Sequence, residues 1–363
     1  MSFVLLGVGA GKRVRLTQAA RAALGLAPAR VVEWRDWLAR PDLLEAALAQ
    51  PCVLKIDSPG DDPALHDTLL REGCRSLGQA VPRLPERGEV ALSPAWFAGF
   101  AGALGRIAAL LAERPHVRVL NAPDDLLLMT DKLRCQRHLQ ARGVPVPHLL
   151  GPIDGHAHLH ALLDRHGLDR AIVKARYGSS ASGVVAYRRN GRGAVQATSS
   201  ADLVHGPDGP RLYNVKRLRR YGDPADIARL IDLLARQHAY AEAWLPKPRH
   251  GNGHFDVRVL TIGGRPAHRV ARVGASVMTN LHLDNARADA DVLLGPDDRA
   301  ALAQAARAAA AAFPASHVVG LDIVARQGRA HVLEANAFGD LLPGLLHDGL
   351  DSYAAQLQAL PVA

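Results

Sequence analysis

Cysteines, aromatic side chains and long uninterrupted apolar runs are all scarce in this chain of 363 residues, and each scarcity removes a class of protein. Cys52, Cys74 and Cys135 are too few and too scattered for a disulfide framework or a zinc centre, which points to a reducing, cytoplasmic setting. Aromatics make up 4% of the residues, too little for a platform on which nucleic-acid bases stack. No stretch reads as long enough to cross a bilayer, so no membrane partner is expected. The opening MSFVLLGVGAG has neither a basic leader nor a cleavage site and reads as a first buried strand of a soluble protein. No repeat period emerges, and the alanines around 306–312 read as helix filler.

What is present suits a large shared core. The chain is 48% hydrophobic and 22% charged, enough for two or three globular layers. An excess of 44 Lys+Arg over 35 Asp+Glu gives a net charge of +9, compatible with nucleic acid, an acidic substrate or an arginine-rich composition. With so few aromatics, anionic small molecules are the favoured partners, ATP among them.

In chain order, residues 3–8, 31–34 and 53–56 read as strands, with helices over 13–24, 37–48 and 63–70, so the chain opens as a parallel α/β domain. GVGAGKR at 7–13 imitates a phosphate loop but fails it: the Walker pattern needs glycine where Leu6 stands and Ser or Thr where Arg13 stands. The dinucleotide fingerprint fails as well, at Lys12. Ser58, in the loop after the third strand, reads either as a substrate group or as part of a turn and cap. A helix over 95–111 and a strand over 117–120 follow. A helix over 124–140 carries Lys132 and stops at Gly143 and its following prolines. A strand over 171–174 ends in Lys174 and runs into Gly178, Ser179, Ser180 and Gly183, a loop with many unobstructed backbone N–H groups. Residues 240–245 read as a strand crossing between lobes. Residues 255–262 and 266–273 read as a hairpin whose Asp256, Arg258, Arg269 and Arg272 form, on pattern, a mostly solvated face. Residues 278–287 are a polar loop richer in hydrogen-bonding groups than a connector needs, and 296–312 is a helix over the final sheet.

The stretch from 320 to 343 organises the rest. Two apolar runs, 318–325 and 330–335, flank a Gln327-Gly328 turn and read as a hairpin. Glu334 and Asn336, two residues apart, leave the second strand on one face. If the loop has an odd number of residues, Asp322 falls opposite Glu334 and three hard oxygen donors converge on a magnesium site with a nucleotide partner. A one-residue slip instead sends Asp322 to the other face and leaves a hairpin that meets water.

The order of parts, Lys132, Lys174 before a Gly/Ser loop, Glu242-Ala243-Trp244-Leu245, Asp256-Val257-Arg258, Asn280, Asp322 and Glu334-Ala335-Asn336, resembles the ATP-grasp superfamily of carboxylate–amine ligases. The likeness covers 121 to about 346, with a hinge similar to that of D-alanyl-D-alanine ligases and a 279–282 loop similar to that of RimK-type amino-acid ligases. It implies an α/β fold: an N-terminal parallel α/β domain (1–120), then a two-lobed α+β domain divided into 121–245 and 246–363. It further implies ATP phosphates on Lys132 and Lys174 under the Gly178–Gly183 loop, and adenine against the main chain of Glu242, Trp244 and Leu245. Asp322, Glu334 and Asn336 would hold Mg²⁺ or Mn²⁺, Arg272 and Arg258 would face the transferring phosphoryl group, and Asn280 is a further catalytic candidate. Carboxylate and amine substrates, small or peptidic and of anionic character, are implied too, and homo-oligomerisation is left open. Two positions depart from the family: Lys247-Pro248-Arg249-His250 is basic where a ribose-binding acid is common, and Ala337-Phe338-Gly339-Asp340 replaces Ser-Pro-Gly. The rival readings are a kinase of the same fold that stops at phosphoryl transfer, and a basic nucleic-acid or nucleotide-binding module without turnover.

Overall fold

The computed structural model describes residues 2–60, 62–81, 83–178, 182–276, 278–279, 285–339 and 342–360. The apolar run FVLLG makes a strand buried on both faces, as the centre of a parallel sheet requires. This β1 (Ser2–Gly7) is followed by α1 (Lys12–Ala23), β2 (Arg30–Glu33), α2 (Trp34–Ala39), α3 (Asp42–Ala47), β3 (Cys52–Ile56), α4 (Pro63–Ser76), α5 (Ser93–Ala112) and β4 (Val117–Val119). The four strands form a parallel sheet in the order β2-β1-β3-β4. The expected helix over 37–48 is two short ones meeting at Arg40 and Pro41, where proline restricts the residue before it.

Helix α5 corrects another expectation, for its 20 residues are by length and composition apolar enough to cross a bilayer. Here it packs along α4 with backbones nearly touching: a Cβ added to Gly73 would lie 1.7 Å from the Ala95 carbonyl oxygen, and one added to Gly99 would lie 1.8 Å from that of Leu69. Glycine at both positions therefore fixes this helix crossing.

The expected helix over 124–140 is also two, α6 (Pro123–Thr130) and α7 (Lys132–Ala141). Apolar spacing runs through both, but Asp131 leaves helical geometry and caps α7 by accepting from the Arg134 N–H. Next come β5 (Leu149–Pro152), α8 (His156–Arg165), β6 (Arg170–Lys174), β7 (Val184–Arg189), β8 (Val195–Gly206), β9 (Gly209–Tyr221), α9 (Pro224–Ala235) and β10 (Tyr240–Ala243). Their six strands form an antiparallel sheet, β5-β10-β6-β7-β8-β9, whose long β7–β9 ribbon the sequence reading leaves unassigned.

The third unit holds β11 (Arg249–His250), β12 (Gly253–Ile262), β13 (Arg265–Gly274), β14 (Ala286–Ala288), α10 (Ala290–Leu293), α11 (Pro296–Ala311), β15 (Val318–Arg326), β16 (Arg329–Asn336) and α12 (Ser352–Gln358). Its antiparallel sheet runs β14-β13-β12-β15-β16, with β11 on β12. Helix α11 covers one face, and its Leu302 and Ala306, with Phe313 just past its end, share a core with Val257, Leu321 and Ile323. Helix α12 returns to the first sheet, where Tyr353, Ala354 and Leu357 share a core with Phe3, Leu5 and Val53.

Candidate active site

A β-bulge settles which way the final hairpin faces. The turn at Gln327-Gly328 has two residues and pairs Arg326 with Arg329, so an unbroken ladder would set Leu333 opposite Asp322. The register shifts between Asp322 and Ile323, however, and brings Glu334 opposite Asp322 with Leu333 as the extra residue. The expected pairing thus arises from the bulge and not from an odd loop. Its displaced Leu333 carbonyl accepts from Gln136 Nε2 at 2.6 Å and from Lys174 Nζ at 3.3 Å.

Lys174, at the end of β6, also meets Glu242 Oε1 at 2.5 Å, and Lys132, the first residue of α7, pairs with Glu334 Oε1. Two lysines and two carboxylates from four elements and two sheets therefore converge. Burial raises the Glu242 carboxyl above its usual range, Lys174 opposing, and Glu242 Oε2 is buried without a hydrogen-bond partner. The Glu242 backbone is paired in register with Ile172 on one side and Leu149 on the other. It is the side chain of Glu242 that reaches the cluster, while Trp244 and Leu245 lie past the end of the strand, half-buried.

A second chain of charges crosses the third sheet. Lys247 Nζ donates to Asp256 Oδ2 and Thr279 Oγ1, both at 2.7 Å, and Arg272 Nε donates to Asp256 Oδ1 at 2.8 Å. Asp322 receives Arg272 Nη2 at 3.1 Å and Arg258 at 2.5 Å (Nε) and 3.2 Å (Nη2). This corrects the reading of a solvated face: Asp256, Arg258 and Arg272 are all buried, because the polar side of the sheet meets other polar groups and not water. Burial alone would raise the Asp256 carboxyl, but Arg272 and then Lys247 hold it well below the usual range. Arg258 and Arg272 likewise outweigh burial at Asp322, and Asp256 and Asp322 together hold the Arg272 guanidinium firmly protonated. Three cations alternate with two carboxylates, so the chain carries a surplus of positive charge.

The loop after Lys174 is anchored at its foot. Arg176 grips Asp131 through two hydrogen bonds of 2.7 Å, its carbonyl accepts from the Lys132 N–H, and Tyr177 stacks on Phe97 with ring centroids 4.2 Å apart. Gly183, at φ 67°, accepts from the Ala175 N–H and closes the base near Gly178. Ser179, Ser180 and Asn280 lie outside the described residues. In the first domain, Ser58 Oγ accepts from the Gly60 N–H, as the turn reading requires. Arg13, from the failed phosphate loop, instead donates to the Phe338 carbonyl beyond β16, at 2.8 Å.

No family model and no curated protein matches this sequence. Solved structures do match it along nearly its whole length. The ATP-grasp ligase PsnB, solved with its minimal precursor, superposes with a TM-score of 0.57 at 16% identity, over 99% of this chain and 98% of that one. The chain has the ATP-grasp fold. The D-cycloserine synthetase DcsG gives a TM-score of 0.55 at 17% identity over 98% of each chain. The D-alanine–D-alanine ligase of Bacillus anthracis gives 0.51 at 13%, over 98% of this chain and 94% of that one. At such identities the ATP-grasp fold is shared, and any function rests on this chain's own residues.

Several of those residues were not among the sequence candidates. Asp131, Arg176, Gln136 and Tyr177 support the two lysines. Lys247, seen in the sequence as the wrong charge after the hinge, anchors the buried chain through Asp256. Asp131 had a legible signal, an aspartate directly before a helical run that begins with Lys132. Long-range partners such as Arg176 had none.

Asp322, Glu334 and Asn336 carry the oxygen donors that magnesium takes, although both Asp322 oxygens are held here by Arg258 and Arg272. Asp322 and Glu334 are register partners, and Asn336, on the same strand, uses Nδ2 toward the Gly320 carbonyl at 3.3 Å, which leaves its amide oxygen to accept. Hard oxygen ligands numbering two acids and an amide match an ion that takes its remaining ligands from phosphate and water.

Proposed function

We propose that the protein is an ATP-dependent ligase that joins a carboxylate to an amine. A substrate carboxylate oxygen attacks the γ-phosphorus of ATP, ADP leaves, and an acyl phosphate forms. The amine nitrogen then attacks the acyl carbon and loses a proton as phosphate departs with the bonding electrons. The observation that carries this reading is the meeting of Lys132 and Lys174 with Glu242 and Glu334 beside the buried Arg272–Asp322 pair.

Each residue has a part that follows from its chemistry. Lys132 and Lys174 would bind phosphate oxygens as point charges, exchanging their present carboxylate partners for the nucleotide. Arg272, held rigid by Asp256 and Asp322, would oppose charge growing on the transferred group without reorganising. Arg258 is committed to Asp322 and acts as a positioning residue. Asp322, Glu334 and Asn336 would hold Mg²⁺, which supplies Lewis acidity and a template for the phosphates. Positioning and charge neutralisation suffice for such chemistry, so no protein nucleophile is needed.

The test is a screen for ADP release with pairs of amino acids and with acidic peptides, read by mass for the product. ADP formation that needs both a carboxylate and an amine, with an amide as product, is expected. ADP formed without an amine, alongside a stable phosphorylated product, would replace the ligase reading with a kinase.

A further inference from the structure

The face of the third sheet that bears Arg272 continues into a cavity of about 400 Å³ between β13, β14 and the segment 343–347. Ala267, Val270, Ala288 and Leu345 give it apolar walls, and the polar groups beside them are unusual. His268, in the wall, is fully buried, and its Nε2 lies 2.9 Å from the Leu350 carbonyl. A carbonyl can only accept, so Nε2 carries the proton and Nδ1 presents a bare lone pair. Nδ1 is buried with no hydrogen-bond partner, a state that costs stability and calls for a reason. Burial lowers the affinity of this ring for a second proton, the hydrogen bond to the Leu350 carbonyl opposing.

Arg287 stands at the rim. It is the register partner of Arg272, and directly opposed residues send their side chains to the same face, about 5 Å apart at Cα. One guanidinium N–H donates to the Pro343 carbonyl at 2.9 Å, and no carboxylate pairs with Arg287 among the described residues. Its neighbour Arg269, by contrast, is spent on Asp291 through hydrogen bonds of 2.7 and 2.6 Å.

We propose that this cavity selects the amine substrate, an α-amino acid whose carboxylate pairs with Arg287 and whose side chain enters the cavity and ends in a hydrogen-bond donor for His268 Nδ1. The α-amine then lies on the Arg272 side, toward the site of phosphoryl transfer. Asp289 also lines the cavity and disfavours an acidic side chain. The word substrate rests on the ligase reading, whereas the binding does not.

Calorimetric titration of the nucleotide-free protein with L-serine, L-asparagine and L-glutamine tests this, with L-glutamate and the carboxamide of each as comparators. At least one of the three is expected to bind, and its carboxamide to bind about tenfold more weakly or worse, since a guanidinium–carboxylate pair is lost. Arg287→Met, an exposed change that spares the fold, should weaken binding by a similar factor, about tenfold. His268→Phe, which fills the same space without the acceptor, should weaken it about fivefold or more. Failure of all three amino acids to bind, or equal binding by Arg287→Met, overturns the pocket. If an amino acid binds as described yet no amide forms with any carboxylate, the ligase reading fails and the pocket stands. If amides form while Arg287→Met changes nothing, the pocket alone fails.

Discussion

Single side chains carry the chemistry proposed here, and two of them allow sharp tests. Glu334 is part-exposed and paired with Lys132, so Glu334→Gln should keep its fold while losing Mg-dependent ADP formation by about a hundredfold or more. Wild-type turnover in that variant would remove Glu334 from the metal set. Asp256 tests the buried chain through pH. Its carboxyl is held below the usual range, so its stabilising contribution is complete above the unfolded value of about 3.9 and is lost as pH falls from there toward the folded value. Asp256→Asn leaves Arg272 and Lys247 buried beside a neutral amide, at a cost of about 3–5 kcal/mol near pH 7. Urea unfolding at pH 7 and pH 3 should show this gap narrowing at the lower pH. An equal gap at both would mean that the charge of Asp256 is not what stabilises the site.

Among the elements, those built on clear apolar runs were the most legible. Strands β1 and β3 and the β15–β16 hairpin lie within a residue or two of their expected bounds because continuous or alternating apolar runs leave few alternatives. The bulge at Leu333 was not legible, since nothing local distinguishes an extra strand residue from a regular one. The β12–β13 charges misled for a related reason: alternation shows that a face is polar but not whether it meets water or another charge. The segment after Lys174 is anchored at its start by side chains, Tyr177 stacking on Phe97 and Arg176 holding Asp131. Nucleotide should still alter it. Hydrogen exchange across 175–184 should slow with a non-hydrolysable ATP analogue and Mg²⁺, because backbone N–H groups there gain an anionic partner. Phe97→Ala, which removes the stacking partner, should weaken analogue binding about two- to tenfold. Unchanged exchange at saturating analogue would place phosphate binding elsewhere.

Across the whole molecule, the first and third sheets are tied by contacts far apart in sequence. Asn121 Nδ2 donates to the carbonyls of Val318 and Ala337, Lys55 reaches Gln356, and α12 completes the core around Phe3 and Leu5. Ending the chain before Asp351 would uncover Tyr353 and Leu357 against that core, with about 1.5–3 kcal/mol lost for each buried side chain. A melting temperature lower by about 10 °C or more is expected, read by circular dichroism. A melt that stays put would show that the first sheet stands without its terminal helix.

The close crossing of α4 and α5 bears on how this protein should be searched by mutation. Gly73 and Gly99 allow no side chain without driving it into a neighbouring backbone carbonyl. In a saturation screen scored by growth or product, these two glycines should rank beside Glu334 as intolerant, although neither belongs to the lysine–carboxylate cluster. Loss of output alone would therefore mislabel the helix crossing as catalytic. Scoring soluble protein in parallel separates them, since Gly73→Ala should vanish from the soluble fraction and Glu334→Gln should remain there inactive.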